Sequence, residues 1–230
     1  MGDRKDEQKS GALVKFFRSE ADLLQEFLRF WLDLKPTIIS GWNIDQFDTP
    51  YLYNRITKVF GEEFANALSP IKQVRYNQNK KKYRIAGVSS LDYIELYRKF
   101  TYVQRSSYRL DYIGQIEVDM GKVEYEGTLD MLFESDIDKF IEYNLVDVKI
   151  VVALENKLKL IDLARSVAHL GRIPYEEVYF SSRYIEGAML TYLRKLDLVA
   201  PSKRHDASYD DSAGRFSGAY VKDPNPGRYE

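Results

Sequence analysis

Residues 37–50 read TIISGWNIDQFDTP, which predicts a buried strand followed by a loop and a helix. The first residues are mainly apolar and stand before Gly41, as expected of a short strand inside a sheet. Thr49 and Pro50 suit a helix start, because proline fits the first helical position without the loss of a hydrogen bond. Gly61 suits the end of that helix. Asp48 therefore lies between a strand end and a helix. Its carboxylate either projects into a cleft or, like Thr49, caps the helix.

The segments around this strand predict helices and one β-hairpin. A helix begins after Ser19, which suits an N-cap position, and ends before Pro36. Residues 71–89 alternate between apolar and polar side chains around a polar tip, which indicates a β-hairpin. A helical pattern covers residues 90–100, one long helical pattern covers residues 136–170, and a further helix covers residues 182–196. This order of elements predicts an α/β or α+β fold with long helices.

Composition restricts the chemistry that the chain can carry. The 230 residues are 44% hydrophobic and 30% charged, as is typical of soluble globular proteins. Cysteine is absent and the two histidines are His169 and His205, which excludes disulfides and a three-histidine zinc site. A bound metal would need carboxylate oxygens, which favours Mg²⁺, Mn²⁺ or Ca²⁺. With no apolar run of about 18 residues and no secretory signal, we expect a cytoplasmic protein without a membrane span.

Charge is strongly segregated along the chain, although the net charge is only −1. Residues 70–109 hold ten Lys or Arg and two acidic residues, whereas residues 111–147 hold eleven acidic residues beside Lys122 and Lys139. A basic segment next to an acidic one suits a polyanion track that leads to a metal-holding carboxylate cluster. Two oppositely charged solvated faces would give the same pattern, so charge alone leaves both interpretations open.

A tyrosine and an aspartate stand one turn apart in the long predicted helix. Tyr143 and Asp147 are four residues apart and therefore share a helix face. Aspartate is unfavourable in a helix interior, so its position beside apolar residues requires a reason. The pair could orient a metal-bound water, or Asp147 could be an exposed residue that is hydrogen-bonded to Tyr143. Combined with Asp48, the first interpretation predicts two metals roughly 4 Å apart at a phosphodiester.

These stretches resemble the family B DNA polymerases, most closely the type found in T-even-like bacteriophages. The second motif of the family's 3′–5′ proofreading exonuclease, N-x-x-x-F-D, is matched by Asn43, Phe47 and Asp48. The third motif, Y-x-x-x-D, is matched by Tyr143 and Asp147. Further similar stretches are 91–100, 107–113, 180–190 and 216–221, and the resemblance covers about residues 14–230. The ordered set is much more specific than either motif alone.

The resemblance implies roles for individual residues. Asp48 and Asp147 would hold two Mg²⁺ or Mn²⁺ ions, and Tyr143 would orient the attacking water. The partner would be DNA, both as a single-stranded 3′ end and as template strand. The DNA-binding residues would be Asn43, Phe47, Lys80, Lys81, Lys82, Phe216 and Gly218, with Phe216 in the place of a family tyrosine. The three lysines lie at the tip of the predicted hairpin and could equally form a solvated turn.

Two segments of the family are missing from this sequence. Residues 1–42 hold no D-x-E, the first exonuclease motif, and no D-x-x-S-L-Y-P polymerase segment is found. The resemblance therefore implies an α/β, partial ribonuclease-H-like exonuclease domain without its upstream strands, and an incomplete two-metal site. We expect a flexible lead at residues 1–12, the partial exonuclease domain at 13–172, a helical connection at 173–200, and a linker with the first strand of the polymerase palm at 201–230.

Three functions agree with the sequence. We expect a section of a family B DNA polymerase that acts in DNA replication and covers part of the proofreading exonuclease. It would be a piece of a larger chain or one product of a split gene, and weakly active or inactive by itself. The alternative is a non-catalytic DNA-binding or assembly subunit that partner chains complete, because exposed strand edges favour association. An unrelated carboxylate-metal nuclease is the third possibility.

Overall fold

The computed structural model describes residues 5–202, which form helices and short two-stranded sheets. The strands are β1 (Glu7–Lys9), β2 (Ala12–Val14), β3 (Ile38–Gly41), β4 (Val74–Asn77), β5 (Lys82–Ile85) and β6 (Ser89–Asp92). The helices are α1 (Glu20–Leu34), α2 (Asp48–Phe60), α3 (Glu62–Asn66), α4 (Tyr93–Phe100), α5 (Leu110–Val118), α6 (Leu129–Ser135), α7 (Ile137–Leu158), α8 (Leu160–Gly171) and α9 (Ser181–Lys195). This mixture of elements agrees with the predicted α/β class.

A parallel pair, β3 and β6, lies between two hydrophobic cores. Its register places Ile38 beside Ser89 and Gly41 beside Asp92. Successive residues of a strand point to opposite faces. Accordingly, Ile38 packs against one core and Ile39 against the other. Helices therefore cover both faces of the pair, as they do in larger parallel sheets.

The two cores are built from different helices. The larger one joins β6, α4, α5, α7 and α8, and contains the fully buried Tyr93, Tyr97 and Ile150. The smaller one joins α1, α2 and α3 with the hairpin of β4 and β5, and contains Ile56 and Ile85. Helix α7 is the longest described helix. Between residues 5 and 202 no helix is both long and apolar enough to cross a membrane.

Several local signals in the sequence correspond to observed structure. Ser19 is the N-cap of α1, and its hydroxyl accepts the backbone N–H of Asp22 at 3.1 Å. The chain leaves α2 at Gly61, where the φ angle of 99° suits glycine. The predicted strand before Trp42 is β3. These signals are local, so they operate without information from the rest of the fold.

Three expectations from the sequence need correction. Residues 1–12 were expected to be a flexible lead, but β1 and β2 pair antiparallel from Glu7 to Val14. The helix expected from residue 90 begins only at Tyr93, because the preceding residues pair with β3. The long helix divides at Lys159, which adopts a left-handed conformation between α7 and α8. Pairing and chain reversal thus override local pattern in these segments.

Helices α8 and α9 cross at two glycines. Gly187 of α9 lies so close to Gly171 that a Cβ atom on Gly187 would be 1.8 Å from the carbonyl oxygen of Gly171. In turn, a Cβ atom on Gly171 would be 2.7 Å from the Cβ atom of Tyr184. The predicted helical connection at 173–200 therefore packs directly on the preceding helix.

Candidate active-site cleft

An open cleft of about 1420 Å³ is bounded by the loop after β3 and by α5, α6 and α7. It brings Asn43 and Phe47 of the second predicted motif together with Tyr143 and Asp147 of the third, although the motifs lie far apart in the sequence. Its other lining residues are Trp42, Ile94, Arg98, Tyr108, Arg109, Leu110, Asp111, Lys122, Val123, Glu124, Tyr125, Glu126, Leu132, Ser135, Asp136 and Lys139.

Lys122 contacts both residues of the third motif. Its Nζ atom donates a hydrogen bond to the hydroxyl oxygen of Tyr143 at 2.8 Å and lies 3.3 Å from Oδ2 of Asp147. The ring of Tyr125 packs edge-on against the ring of Tyr143, with 5.3 Å between centroids. An amine, a phenol and a carboxylate therefore meet on one wall of the cleft.

The carboxyl group of Asp147 is only partly satisfied. Oδ1 is buried and has no hydrogen-bond partner in the described part of the chain. Burial raises the pKa of Asp147, and the nearby charge of Asp111 adds to the rise, against the opposing effect of Lys122. An unpartnered buried carboxylate oxygen is a position where an added cation would be favourable.

The loop of residues 42–47, named the motif loop here, connects β3 to α2. The backbone N–H groups of Asn43 and Asp45 donate to the carboxylate of Asp92 at 3.0 and 3.1 Å. Asn43 has a φ angle of 66°, a left-handed conformation that asparagine tolerates. The ring of Phe47 is 68% exposed. Asp92 thus holds the loop backbone in place, while Asn43 and Phe47 line the cleft.

Asp48 follows Phe47 directly and is the first residue of α2. No side-chain hydrogen bond caps this helix, so the structure gives no support to the interpretation of Asp48 or Thr49 as a capping side chain. Nearby protein atoms desolvate the carboxyl group and raise the pKa of Asp48, although the residue keeps an exposed surface. Asp48 is adjacent to the cleft but is not part of its lining.

The predicted DNA-binding lysines lie near the motif loop but outside the cleft. Lys80 and Lys82 line a second, smaller hollow, and Lys81 is exposed at the hairpin tip. The Nζ atom of Lys80 is 4.7 Å from the ring centroid of Phe180, and Nζ of Lys82 is 2.5 Å from Oδ2 of Asp45. DNA contacts by these lysines stay predictions, and Lys82 already has a partner within the protein. Phe216 and Gly218 lie outside the described residues.

The cleft also contains residues that sequence reasoning missed. Arg98 and Arg109 add positive charge to its wall, Asp111 lies near Asp147, and Lys122 holds the third-motif pair. A signal for Lys122 was present in the sequence. It and Lys139 are the two basic residues of the acidic segment 111–147, and both line the cleft.

The side chains described here do not complete a two-metal site. Within residues 5–202, no three His, Asp or Glu side chains come together as a possible metal site. The unpartnered oxygen of Asp147 fits a cation, but its other oxygen is paired with Lys122. The two-metal centre implied by the resemblance therefore needs ligands beyond those that the described residues supply.

A known protein family matches the part of the chain that holds the second motif. A model of the family described as DNA polymerase family B, exonuclease domain, matches residues 2–113. Over those residues the chain is similar to this family. The match includes Asn43, Phe47 and Asp48, so the resemblance stated from the sequence is confirmed.

Relatives from two bacteriophages and a herpesvirus extend the similarity over almost the whole chain. The chain is 35% identical to the DNA-directed DNA polymerase of Escherichia phage RB69 over 220 residues, which are 93% of this chain and 24% of that protein. It is 33% identical to the DNA-directed DNA polymerase of Enterobacteria phage T4 over 216 residues, 91% of this chain and 24% of the relative. The DNA polymerase catalytic subunit of Human herpesvirus 7 (strain JI) is 25% identical over 241 residues. The chain thus spans about a quarter of the length of these relatives.

Proposed function

We propose that the chain is the proofreading-exonuclease section of a family B DNA polymerase, and that its cleft binds the 3′ end of single-stranded DNA. The observation that carries this proposal is the meeting of two motifs, Asn43 and Phe47 with Tyr143 and Asp147, on one cleft. The phage relatives are named as DNA polymerases, which supports a role in DNA replication. We place this role in the cytoplasm, which is that of the host cell if a phage encodes the chain.

The lining of the cleft suits single-stranded DNA. The exposed ring of Phe47 and the ring of Tyr125 offer faces on which bases can stack. Arg98, Arg109 and Lys139 provide positive charge for backbone phosphates. Stacking and phosphate contacts depend little on base identity, so this arrangement favours binding that tolerates any sequence, as removal of a mismatched end requires.

The polar wall of the cleft suits hydrolysis of a phosphodiester. In our proposal the hydroxyl of Tyr143 orients the attacking water, and Lys122 holds that hydroxyl in place. Burial opposes the charge of Lys122, but the hydrogen bond to Tyr143 and the charge of Asp147 together raise its pKa. A charged amine at this position would also counter negative charge that develops on the phosphate.

Asp48 and Asp147 are the chain's proposed contribution to a site for Mg²⁺ or Mn²⁺. Desolvation raises the pKa of both carboxyl groups, and a divalent cation would reverse that effect. Bound metals would supply charge neutralisation and an activated water in this family's chemistry. The remaining ligands would come from a D-x-E segment that this sequence lacks.

The finer architecture is also part of the proposal. The parallel pair of β3 and β6, covered by helices on both faces, suits a portion of a larger ribonuclease-H-like sheet. Among residues 5–202, β6 is the one strand that pairs with β3. Upstream strands would occupy the other edge of β3. The domain limits given above, and the palm strand in 201–230, belong to this same proposal.

We expect the chain alone to hydrolyse single-stranded DNA very weakly or not at all in Mg²⁺, because half of the metal ligands are missing. The measurement is gel analysis of a 5′-labelled oligonucleotide, with and without a polypeptide that carries the family's D-x-E segment. Activity that appears only with both polypeptides, and disappears in Asp48→Ala, would support the proposal. Robust digestion by the chain alone that Asp48→Ala abolishes would contradict it.

Replacement of Lys122 by methionine is expected to raise the pKa of Asp147 further, because a neighbouring positive charge is lost. The titration of the Asp147 carboxyl carbon, followed by NMR, measures this shift. Lys139→Met is the matched control, since Lys139 lines the same cleft without a described contact to Asp147. An unchanged titration in Lys122→Met would show that the observed ion pair is absent in solution.

A second function, a non-catalytic DNA-binding or assembly subunit completed by partner chains, is favoured by one observation. No three metal-ligating side chains come together in the part of the chain that the structure describes. This function predicts DNA binding without hydrolysis, even after the D-x-E polypeptide has formed a complex with the chain. The same gel assay therefore separates the two functions.

A further inference from the structure

Two buried aspartates lie beside the cleft, and none of the roles above uses them. Asp45 is 6% exposed and belongs to the motif loop, and Asp92 is 1% exposed at the end of β6. Burial of ionisable groups is costly, so such groups are normally satisfied by charge or hydrogen bonds. The contacts of both carboxylates show which segments they hold together.

Asp92 holds the backbone of the motif loop. Its Oδ1 atom accepts the N–H groups of Asn43 and Ile94 at 3.0 and 3.2 Å, and Oδ2 accepts the N–H of Asp45 at 3.1 Å. One carboxylate thereby fixes the loop against the start of α4. Burial raises the pKa of Asp92 to about 6, against the opposing backbone hydrogen bonds and with a contribution from the charge of Asp45.

Asp45 connects the motif loop to β6 and to the hairpin. Its Oδ1 atom accepts the hydroxyl of Ser90 at 2.6 Å, and Oδ2 forms the ion pair with Lys82. Two carboxylates held close together in a buried place repel each other. Lys82, whose side chain is 22% exposed, supplies the positive charge that offsets this repulsion.

The ion pair joins the hairpin to the motif loop. Lys82 is the first residue of β5, next to the hairpin tip, whereas Asp45 lies between Asn43 and Phe47. The contact of Lys80 with the ring of Phe180 fixes the same tip from another side. Movement of the hairpin away from the domain would therefore leave Asp45 and Asp92 without the Lys82 charge.

We propose that Lys82 and Asp45 form a latch that positions the motif loop and couples the hairpin to binding of a DNA end. Lys82 is thus a positioning residue that acts through Asp45. The inference rests on the proposed function for its DNA part, while the latch itself is a property of the protein alone. Coupling is reciprocal, so DNA in the cleft also strengthens the hold on the hairpin.

The experiment compares Lys82→Met with Lys82→Arg, with the double variant Asp45→Asn, Lys82→Met, and with Arg75→Met. Arg75 is an exposed charge on the neighbouring strand β4 and serves as control. NMR-detected hydrogen exchange at the Asn43 and Asp45 amides reports the loop without DNA. Fluorescence anisotropy with a labelled single-stranded oligonucleotide reports binding.

We expect Lys82→Met to speed exchange at both amides by about tenfold or more, since an uncompensated buried charge is left behind. Exchange at core amides such as Leu96 should stay unchanged. Lys82→Arg should keep the protection, and the double variant should regain part of it, because the repulsion between carboxylates is removed. Oligonucleotide affinity should follow the same order, with Arg75→Met like the parent chain.

Three results would overturn the latch. Unchanged loop exchange in Lys82→Met would exclude a positioning role. Equal loss of protection in the single and double variants would indicate lost packing in place of lost charge. Equal effects of Arg75→Met and Lys82→Met would indicate a general effect of hairpin charge. If the parent chain binds no oligonucleotide, the proposed function fails, but the exchange measurements still decide on the latch.

Discussion

Replacement of Phe47 by alanine is expected to weaken single-stranded DNA binding by roughly fivefold or more. The ring is 68% exposed on the cleft wall, and stacking of a base on an aromatic ring contributes about 1–3 kcal/mol. Because so much of the ring is exposed, its removal should change the free energy of unfolding little. Fluorescence anisotropy with a short labelled oligonucleotide at fixed salt measures the change in Kd.

Tyr51→Ala provides the matched control for this prediction. Tyr51 is 64% exposed on helix α2, four residues after Phe47, but it does not line the cleft. An equal loss of affinity in both variants would show that exposed rings near α2 contribute equally to DNA binding, whether or not they line the cleft. Unchanged affinity in Phe47→Ala would remove Phe47 from the DNA-binding residues.

Replacement of Gly187 by alanine is expected to lower the free energy of unfolding by about 3 kcal/mol or more, at the upper end for overpacking. Alanine favours a helix over glycine by about 1 kcal/mol, so propensity alone would predict stabilisation. The clash is larger, because the new Cβ atom would meet the backbone carbonyl of Gly171 at 1.8 Å and a backbone atom cannot rotate away. Helices α8 and α9 would have to separate.

Urea denaturation of Gly187→Ala beside Gly121→Ala measures this effect. At Gly121 the nearest atom to a new Cβ would be the flexible side-chain oxygen of Gln115 at 3.2 Å, so little cost is expected. Equal stability of Gly187→Ala and the parent chain would contradict the close crossing of α8 and α9. Because α9 begins directly after Phe180, separation should also loosen the contact of Lys80 with that ring.

Local signals allowed the sequence to predict part of the fold. The cap at Ser19, the apolar run of β3 and the stop at Gly61 each depend on neighbouring residues only. Strand β6 was missed because its sequence, Ser89 to Asp92, is not apolar, and its pairing with β3 depends on a segment some fifty residues away. The break at Lys159 was missed because no glycine or proline marks it.

The candidate site shows the same division. The four-residue spacing of Tyr143 and Asp147 places both on one helix face, so the sequence alone could predict this part of the site. It could not show that Lys122, from a loop, would reach both of them, since that contact exists only after folding. In the sequence, Lys82 is one of three adjacent lysines at a predicted turn, so its ion pair with Asp45 could not be predicted.

In our proposal the two motifs form one cleft for the 3′ end of single-stranded DNA. The most direct test is photo-crosslinking of the chain to an oligonucleotide that carries a photoreactive base at its 3′ end, followed by mapping of the modified peptides. We expect crosslinks within residues 42–48 and within residues 122–147, and their loss when the reactive base is moved to the 5′ end. Crosslinks confined to the hairpin tip, or to surfaces away from the cleft, would contradict it.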